Sequence, residues 1–359
     1  MMTAKPEVAI TNGIPQQHGE HVDARRTLAP RDTVMTGEEY CRSKPIYRSL
    51  LAFLRCPDCS GHLKETNQSL ACQACRRLFP RVNGIVQFVP SEDYAGNFGF
   101  EWSKYSRTQL DREGWAWSEE AFRLKTGFSP EEIRGKWVLD VGCGMGRFAE
   151  VASRWGANVV GIDLSRAAEV AAHNLAHRDN VWICRTDLRR LPFALESFDY
   201  IYSIGVLHHT PDCKESFKGL VPFLKPGGTI AIWVYSAYDK WYRMSDVYRK
   251  LTTRLSASSL HTVCRIVDSL YYAHVALRHI PAVGRYLSGI LNYLVPIPLY
   301  SNRELRTLDS FDWYSPKYQS KHTYEEVFRW LEECGLRDLR VLFQPVAVRG
   351  AKRKLIESA

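Results

Sequence analysis

The chain has 359 residues, 45% of them apolar and 24% charged, with 48 Lys+Arg against 39 Asp+Glu for a formal charge of +9. These fractions are those of an ordinary globular protein and exclude wholesale disorder, collagen-like repeats and a polytopic membrane protein, and the length suits one large domain plus a small one. The positive excess points to nucleic acid, an anionic membrane or an acidic substrate, and it is concentrated: residues 236–300 hold 8 basic and 3 acidic groups, against 10 and 11 in 56–135 and 11 and 10 in 136–235.

Residues 1–40 mix Gly, Pro, Gln, His and charge with no apolar period, and read as a disordered leader. They lack the basic start and apolar core of a secretory signal, and the longest uncharged stretch, 286–302, is broken by Pro296 and Pro298. A cytoplasmic protein is expected, with cysteines as thiols or metal ligands.

Next comes a zinc ribbon at 50–90. Cys56 and Cys59, twelve residues, then Cys72 and Cys75 form a paired C-x-x-C array in which each pair turns onto one tetrahedral ion and a hairpin brings the pairs together. The reading is a structural Zn²⁺ with all four positions filled; unligated thiols and a redox pair are the competing readings. Such a metal supplies roughly 10 to 16 kcal/mol of apparent binding energy to a segment too short to bury a core. Cys41, Cys143, Cys184, Cys213, Cys264 and Cys334 show no paired spacing.

Residues 95–235 read as a lid region followed by strands one to five. In the lid, Phe100, Trp102 and Tyr105 are candidates to cover a cationic group by cation–π contact, with Glu101 and Lys125 as polar candidates; plain core packing competes. From Trp137 to Tyr235, β-branched runs alternate with amphipathic stretches, which predicts a parallel α/β sheet. Between the first strand and its helix lies Gly142-Cys143-Gly144-Met145-Gly146, a G-x-G-x-G turn that lets backbone approach a ligand, and Asp163 ends the second strand seventeen residues beyond Gly146, where a carboxylate can accept from both ribose hydroxyls. A dinucleotide site would place its third glycine one residue later.

Residues 236–300 break the rhythm and predict a helical cap. Leu260, Val263, Val267, Leu270 and His274 recur at helical spacing, as do Val283, Leu287, Ile290 and Leu294, with Trp241, Tyr242, Tyr248, Tyr271, Tyr272 and Tyr293 interleaved with Arg and Lys. The remainder, 301–359, returns to the α/β pattern, with a helix capped by Thr323 and Glu326 and ended at Gly335, then two β-rich runs.

The ordered set VLDVGCGMGRF, Asp163, Asp187-Leu188, FDYIYSIGVLHHTPD and LKPGGTIAIWVY resembles the class I S-adenosylmethionine-dependent methyltransferases of the broad type 11 group. The resemblance is strong over Trp137–Tyr235 and weaker from about Thr323. It implies a Rossmann-like seven-stranded sheet, completed by an antiparallel hairpin in the tail. It also implies that Asp140 and the Gly142–Gly146 loop, Cys143 included, hold the methionine end of the cofactor. Asp163 would take the ribose, Leu164 one face of the adenine, Asp187 with Leu188 its amino group and edge, and Ile204 with Gly205 the sulfonium side. His208 and His209 are candidate general bases, against the plainer reading that one of them hydrogen-bonds the loop after strand four. The ribbon resembles the zinc-ribbon partner subunit of tRNA and translation-factor methyltransferases.

The acceptor is left with three readings. A small-molecule or lipid-linked acceptor suits an aromatic, basic cap, with peripheral membrane contact as a further partner expectation. An RNA base methyltransferase using the ribbon is the alternative, ranked lower because the ribbon and sheet are near neutral. A non-catalytic cofactor-binding scaffold is the third.

Overall fold

The computed structural model describes residues 44–90, 93–111, 117–238 and 243–354, so the leader, Cys41, Trp241 and Tyr242 lie outside the described residues. Short apolar runs between turn residues set the first strands. After the helix Pro45–Leu51 come β1 (Leu63–Glu65), β2 (Ser69–Cys72), β3 (Leu78–Val82) and β4 (Ile85–Gln87), paired antiparallel in order. Asn83 and Gly84 join the last two with φ of 50° and 83°, the two-residue turn whose twist matches paired strands.

Beyond the helices Gly96–Lys104, Trp117–Thr126 and Pro130–Ile133, the β-branched runs form β5 (Trp137–Val141), β6 (Asn158–Asp163), β7 (Val181–Arg185), β8 (Phe198–Ile204) and β9 (Leu224–Trp233). These pair in parallel in the order β7-β6-β5-β8-β9. Helices Arg147–Arg154, Ala167–Asn174 and Cys213–Leu220 provide crossovers, and bury their apolar faces on the sheet. The tail adds the helix Tyr324–Glu333, whose first turn Thr323 caps by accepting from Glu326 N at 3.3 Å, then β10 (Arg337–Val341) and β11 (Ala347–Ala351). β11 lies antiparallel to β9 and β10 closes that edge.

Seven strands therefore make the expected sheet, but the sheet does not stop there. β4 pairs in parallel with β7, Val86 opposite Cys184 and Gln87 opposite Arg185, and Phe88 N donates to Arg185 O at 2.8 Å, so eleven strands run on from ribbon to tail. The ribbon thus extends the parallel sheet. Its physical reason is an open β7 edge whose backbone groups need partners. Tyr47 stacks on Trp182 at 6.3 Å, Arg55 N donates to Pro192 O and Ala194 N to Phe53 O, and Asp58 pairs with both Arg77 and Arg190.

Residues 236–300 hold the helices Arg243–Thr252, Ala257–Val267, Leu270–Arg278 and Gly284–Leu294, and the helix Arg303–Tyr314 comes after them. This last helix packs on Ala257–Val267, on Arg243–Thr252 and on the lid helix Gly96–Lys104. It joins the helices of 243–267 to Gly96–Lys104.

Candidate active site

The carboxyl ends of the parallel strands carry the polar groups. Asp140 on β5 stands in register with Gly161 on β6 and Tyr202 on β8, its side chain is buried, and its Oδ2 has no hydrogen-bond partner. Burial pushes this carboxyl up to about 7; the nearby Tyr202 phenol opposes the rise and Asp163 adds to it. A buried acceptor without a donor is costly, so a cationic N–H group arriving there is favoured.

The glycine turn follows at once. Gly142 has φ +79°, and a Cβ there would lie 2.4 Å from Cγ2 of Val206, so both conformation and space demand glycine. Gly142 N and Cys143 N both donate to Ile162 O, and Gly144 N donates to Asp163 Oδ2 at 3.0 Å, which pins the turn to the end of β6. Gly146 sits at the N-cap of Arg147–Arg154, and Cys143 is buried, its Cβ 3.2 Å from where a side chain on Gly161 would begin.

Asp163 Oδ1 accepts from the backbone and hydroxyl of Ser165 at 2.8 Å each; burial pushes the carboxyl up, against the pull of those bonds. Leu164 O accepts from Arg185 Nε at 3.0 Å. Asp187 is gripped by Arg189, through Nε at 3.0 Å and a terminal nitrogen at 2.6 Å, and Leu188 beside it is buried. Ile204 ends β8, and Gly205, with φ +79°, donates to Trp233 O.

The two histidines differ. His208 is fully buried, stacked on Tyr235 at 3.9 Å, with neither ring nitrogen hydrogen-bonded, and burial holds it well below the usual histidine range. His209 Nδ1 lies 3.0 Å from Tyr318 O and so must donate to it, which leaves Nε2 as the bare nitrogen of the neutral ring, 4.0 Å from Asp312 Oδ1. Burial lowers the His209 pKa while Asp312 opposes the shift.

Of the lid residues, Trp102 reaches the turn: its Nε1 lies 3.3 Å from where a Cβ of Gly144 would stand. Asn174 fastens lid and turn together by donating to Ser106 O at 2.7 Å and Met145 O at 2.9 Å. Phe100 and Tyr105 instead turn to the cap: Phe100 packs against Phe311 and His261, and Tyr105 Oη lies 2.9 Å from His261 Nε2. Glu101 is buried with Oε2 unpartnered, and burial, reinforced by Asp312 and Asp309, drives its pKa well up. Lys125 Nζ sits 3.8 Å over the Trp233 ring, and burial, helped by Arg147, lowers its pKa to about 7.

Asp309 and Asp312 had no signal in the motif pattern. They lie three apart on Arg303–Tyr314 and share one face of it. Tyr300 Oη donates to Asp309 Oδ2 at 2.9 Å and Tyr235 Oη donates to Asp312; burial pushes Asp309 up to about 7.

At the ribbon, the sulfurs of Cys56, Cys59, Cys72 and Cys75 all lie within 4.8 Å of one another, with Cys56 to Cys75 at 3.7 Å and Cys59 to Cys72 at 3.4 Å. A tetrahedron of Zn–S bonds has an edge of about 3.8 Å, so four thiolates of this spacing fit a structural zinc ion.

Residues 139–232 match the family model described as a methyltransferase domain, and residues 48–84 the one described as Trm112p-like protein. The sterol 24-C-methyltransferase of Saccharomyces cerevisiae is 29% identical over 166 residues, 44% of this chain and 42% of that one. The ubiquinone biosynthesis O-methyltransferase of Coxiella burnetii is 30% identical over 148 residues, 40% of this chain and 63% of that one. The chain thus spans less than two thirds of these relatives' lengths. Among solved structures, phosphoethanolamine N-methyltransferase 2 of Haemonchus contortus with S-adenosyl-L-methionine matches with a TM-score of 0.39 and 19% identity, covering 74% of this chain and 47% of that one. The glycine turn on β5, the strand order around it and the four clustered sulfurs agree with the two family matches: the chain carries a class I S-adenosylmethionine-dependent methyltransferase domain with a Trm112p-like zinc-ribbon segment ahead of it.

Proposed function

We propose that the protein transfers a methyl group from S-adenosylmethionine to a small-molecule or lipid-linked acceptor by in-line displacement. The observation that carries the reading is the buried, unpartnered Oδ2 of Asp140 beside a turn that only glycine can make. When bound, the cofactor supplies a methyl group on a sulfonium that is its own leaving group. Asp140 would accept from its ammonium, the backbone of Gly142, Cys143, Gly144 and Gly146 would pass close to its methionine end, and Asp163 would accept from the ribose hydroxyls. Leu164 and Leu188 would flank the adenine, with Asp187 receiving its amino group, and Ile204 and Gly205 would line the side from which the methyl leaves.

The remaining work of the chain is alignment and exclusion of water. Trp102 over the turn serves both, held by the Asn174 clasp. For an acceptor that starts protonated, His209 is the better placed of the two histidines, since its Nε2 is the free base and Asp312 stands ready to steady the charge. Lys125, held near 7, is a second proton acceptor in the same mouth. Cytoplasmic residence and peripheral membrane contact through the basic cap belong to the same reading; no helix of the described residues is long and apolar enough to cross a membrane. The relatives named for sterol and ubiquinone methylation support the acceptor class.

Calorimetric titration with S-adenosylmethionine, repeated on Asp163→Ala, tests the shared premise. Affinity should fall about tenfold or more for loss of a buried carboxylate contact; unchanged affinity removes Asp163 from the ribose. Incubating the protein with cell extract and labelled cofactor, then separating lipid, small-molecule and RNA fractions, tests the acceptor. Label confined to RNA overturns the assignment.

A further inference from the structure

The cap carries its apolar surface on the outside. Fourteen of the twenty exposed large hydrophobics among the described residues lie between Val247 and Leu294. In Gly284–Leu294 the polarity is inverted. Its buried residues are Gly284 and Ser288, whereas Tyr286, Leu287, Ile290, Tyr293 and Leu294 are exposed and fall within an arc of about 120° at 100° per residue. Its antiparallel neighbour Leu270–Arg278 buries His274 and exposes Tyr272 and Val275.

What holds the two helices together is small and polar. His274 Nδ1 lies 2.9 Å from Ser288 Oγ, and the backbone of Gly284 approaches so closely that a Cβ would lie 2.0 Å from Leu277 O. A pair built to stand in water would turn these groups outward and bury the leucines. The hairpin therefore offers a grouped set of exposed apolar side chains on one helix face, the kind of surface that marks an interaction site.

Charge selects the occupant. Arg278 and Arg285 of the hairpin and Lys250, Arg254 and Arg265 of the neighbouring cap helices are exposed, whereas neither acid of residues 243–294 stands alone: Asp268 is buried and accepts from Ser310 Oγ, and Asp246, partly exposed, pairs with Arg249 and Lys321. Exposed aliphatics and tyrosines with five exposed basic side chains in the same helices, and with both acids of residues 243–294 either buried or ion-paired, match the interface of a bilayer that carries anionic headgroups.

We propose that the hairpin 270–294 seats in an anionic lipid surface, its apolar arc in the acyl boundary and its basic rim at the headgroups. This deepens the cap reading above, and rests on it for the link to the acceptor: Arg303–Tyr314 presents Asp309 and Asp312 toward the lid and Lys125, while its Arg306 lies 4.0 Å over Tyr271 of the hairpin. A lipid-linked acceptor would then reach the mouth from the bilayer to which the hairpin is docked.

Flotation of the full chain with vesicles of phosphatidylcholine alone, or with about a third phosphatidylglycerol, tests it. The chain should float with the anionic vesicles, and less so as salt is raised. Leu287→Ser with Ile290→Ser should cut the bound fraction about tenfold, and Arg278→Glu with Arg285→Glu should abolish the preference for anionic lipid. Cofactor affinity, measured on the same variants, should not change; because it is read separately, loss of vesicle binding and loss of the methyltransferase reading are told apart. Absence of flotation, or equal flotation of the native chain and the serine variant, overturns the proposal. A native dimer that the serine substitutions dissociate would assign the face to a second copy, and overturns it equally.

Discussion

At Asp140 a proton is the quantity to follow. Its carboxyl, pushed from 3.8 to about 7 by burial, is largely protonated in the free protein at pH 6. An ammonium bound at Oδ2 favours the ionised form, so cofactor binding at that pH should release up to about one proton. Calorimetry in buffers of different ionisation enthalpy reads the release directly, and Asp140→Asn should remove it. The same shift has a fixed sign for stability. A carboxyl raised on folding contributes stability that is present below 3.8 and lost as pH rises through about 7, so the free protein should lose part of its margin across that window and the bound protein should not. Lys125, lowered to about 7, works the other way, and turnover of a protonated acceptor should rise with pH through about 7 and lose that limb in Lys125→Met. Gly142→Ala should cost at least about 1–2 kcal/mol in urea unfolding, from its φ of +79° before the overlap with Val206 is counted. These two ends of the site differ in how far they could be read from the chain. The turn is legible because a backbone conformation dictates residue type at fixed spacing, and Asp163 because strand ends recur in order. Asp309 and Asp312 answer to no local rule: a helix far along the chain brings them to Glu101 by packing alone.

Among the elements, Arg303–Tyr314 has two working faces. One carries Asp309 and Asp312 toward the lid, and the other carries Arg306 and Ser310 toward the cap, where Ser310 Oγ donates to buried Asp268 at 2.6 Å. Ser310→Ala would remove the 2.6 Å donor of that carboxyl, leaving it Thr307 and the charges of Arg306 and Arg303, and should destabilise the protein by about 1 kcal/mol. The urea midpoint should move without a change in slope. An unchanged midpoint would mean that Asp268 finds another donor, and the joint between cap and site is looser than the geometry indicates. Helical spacing revealed that residues 257–294 are helices, since apolar residues repeat at three and four. It did not reveal which side faces inward: Leu260 and Cys264 point into the cluster with Phe311, while Leu287 and Ile290, of the same period, point out. Periodicity records that a helix has an apolar stripe and says nothing of what will cover it.

Across the molecule, the eleven strands make metal binding at the ribbon a matter for the whole sheet. Ribbon and methyltransferase domain are distinct in sequence because their motifs and composition differ, yet β4 supplies the hydrogen-bonding edge that β7 would otherwise present to water. Sequence pattern could not show this, because parallel pairing between strands nearly a hundred residues apart leaves no local trace. If the ribbon folds on its metal, as four thiolates within 4.8 Å of one another imply, then removing zinc unfolds β1 to β4 and uncovers β7. Hydrogen exchange should therefore accelerate on chelation at Val181–Arg185, while Ile230–Trp233 and Ala347–Ala351, whose partners lie on the far side of the sheet, keep their protection. Cys59→Ser should reproduce the pattern without chelator. The glycine turn lies two strands inward from that edge, on β5, and Ile162 at the end of β6 holds it; cofactor affinity should consequently weaken less than the thermal midpoint falls. Unchanged exchange in β7 would show that the edge stays covered without metal, and would reduce the ribbon to a neighbour of the sheet it now extends.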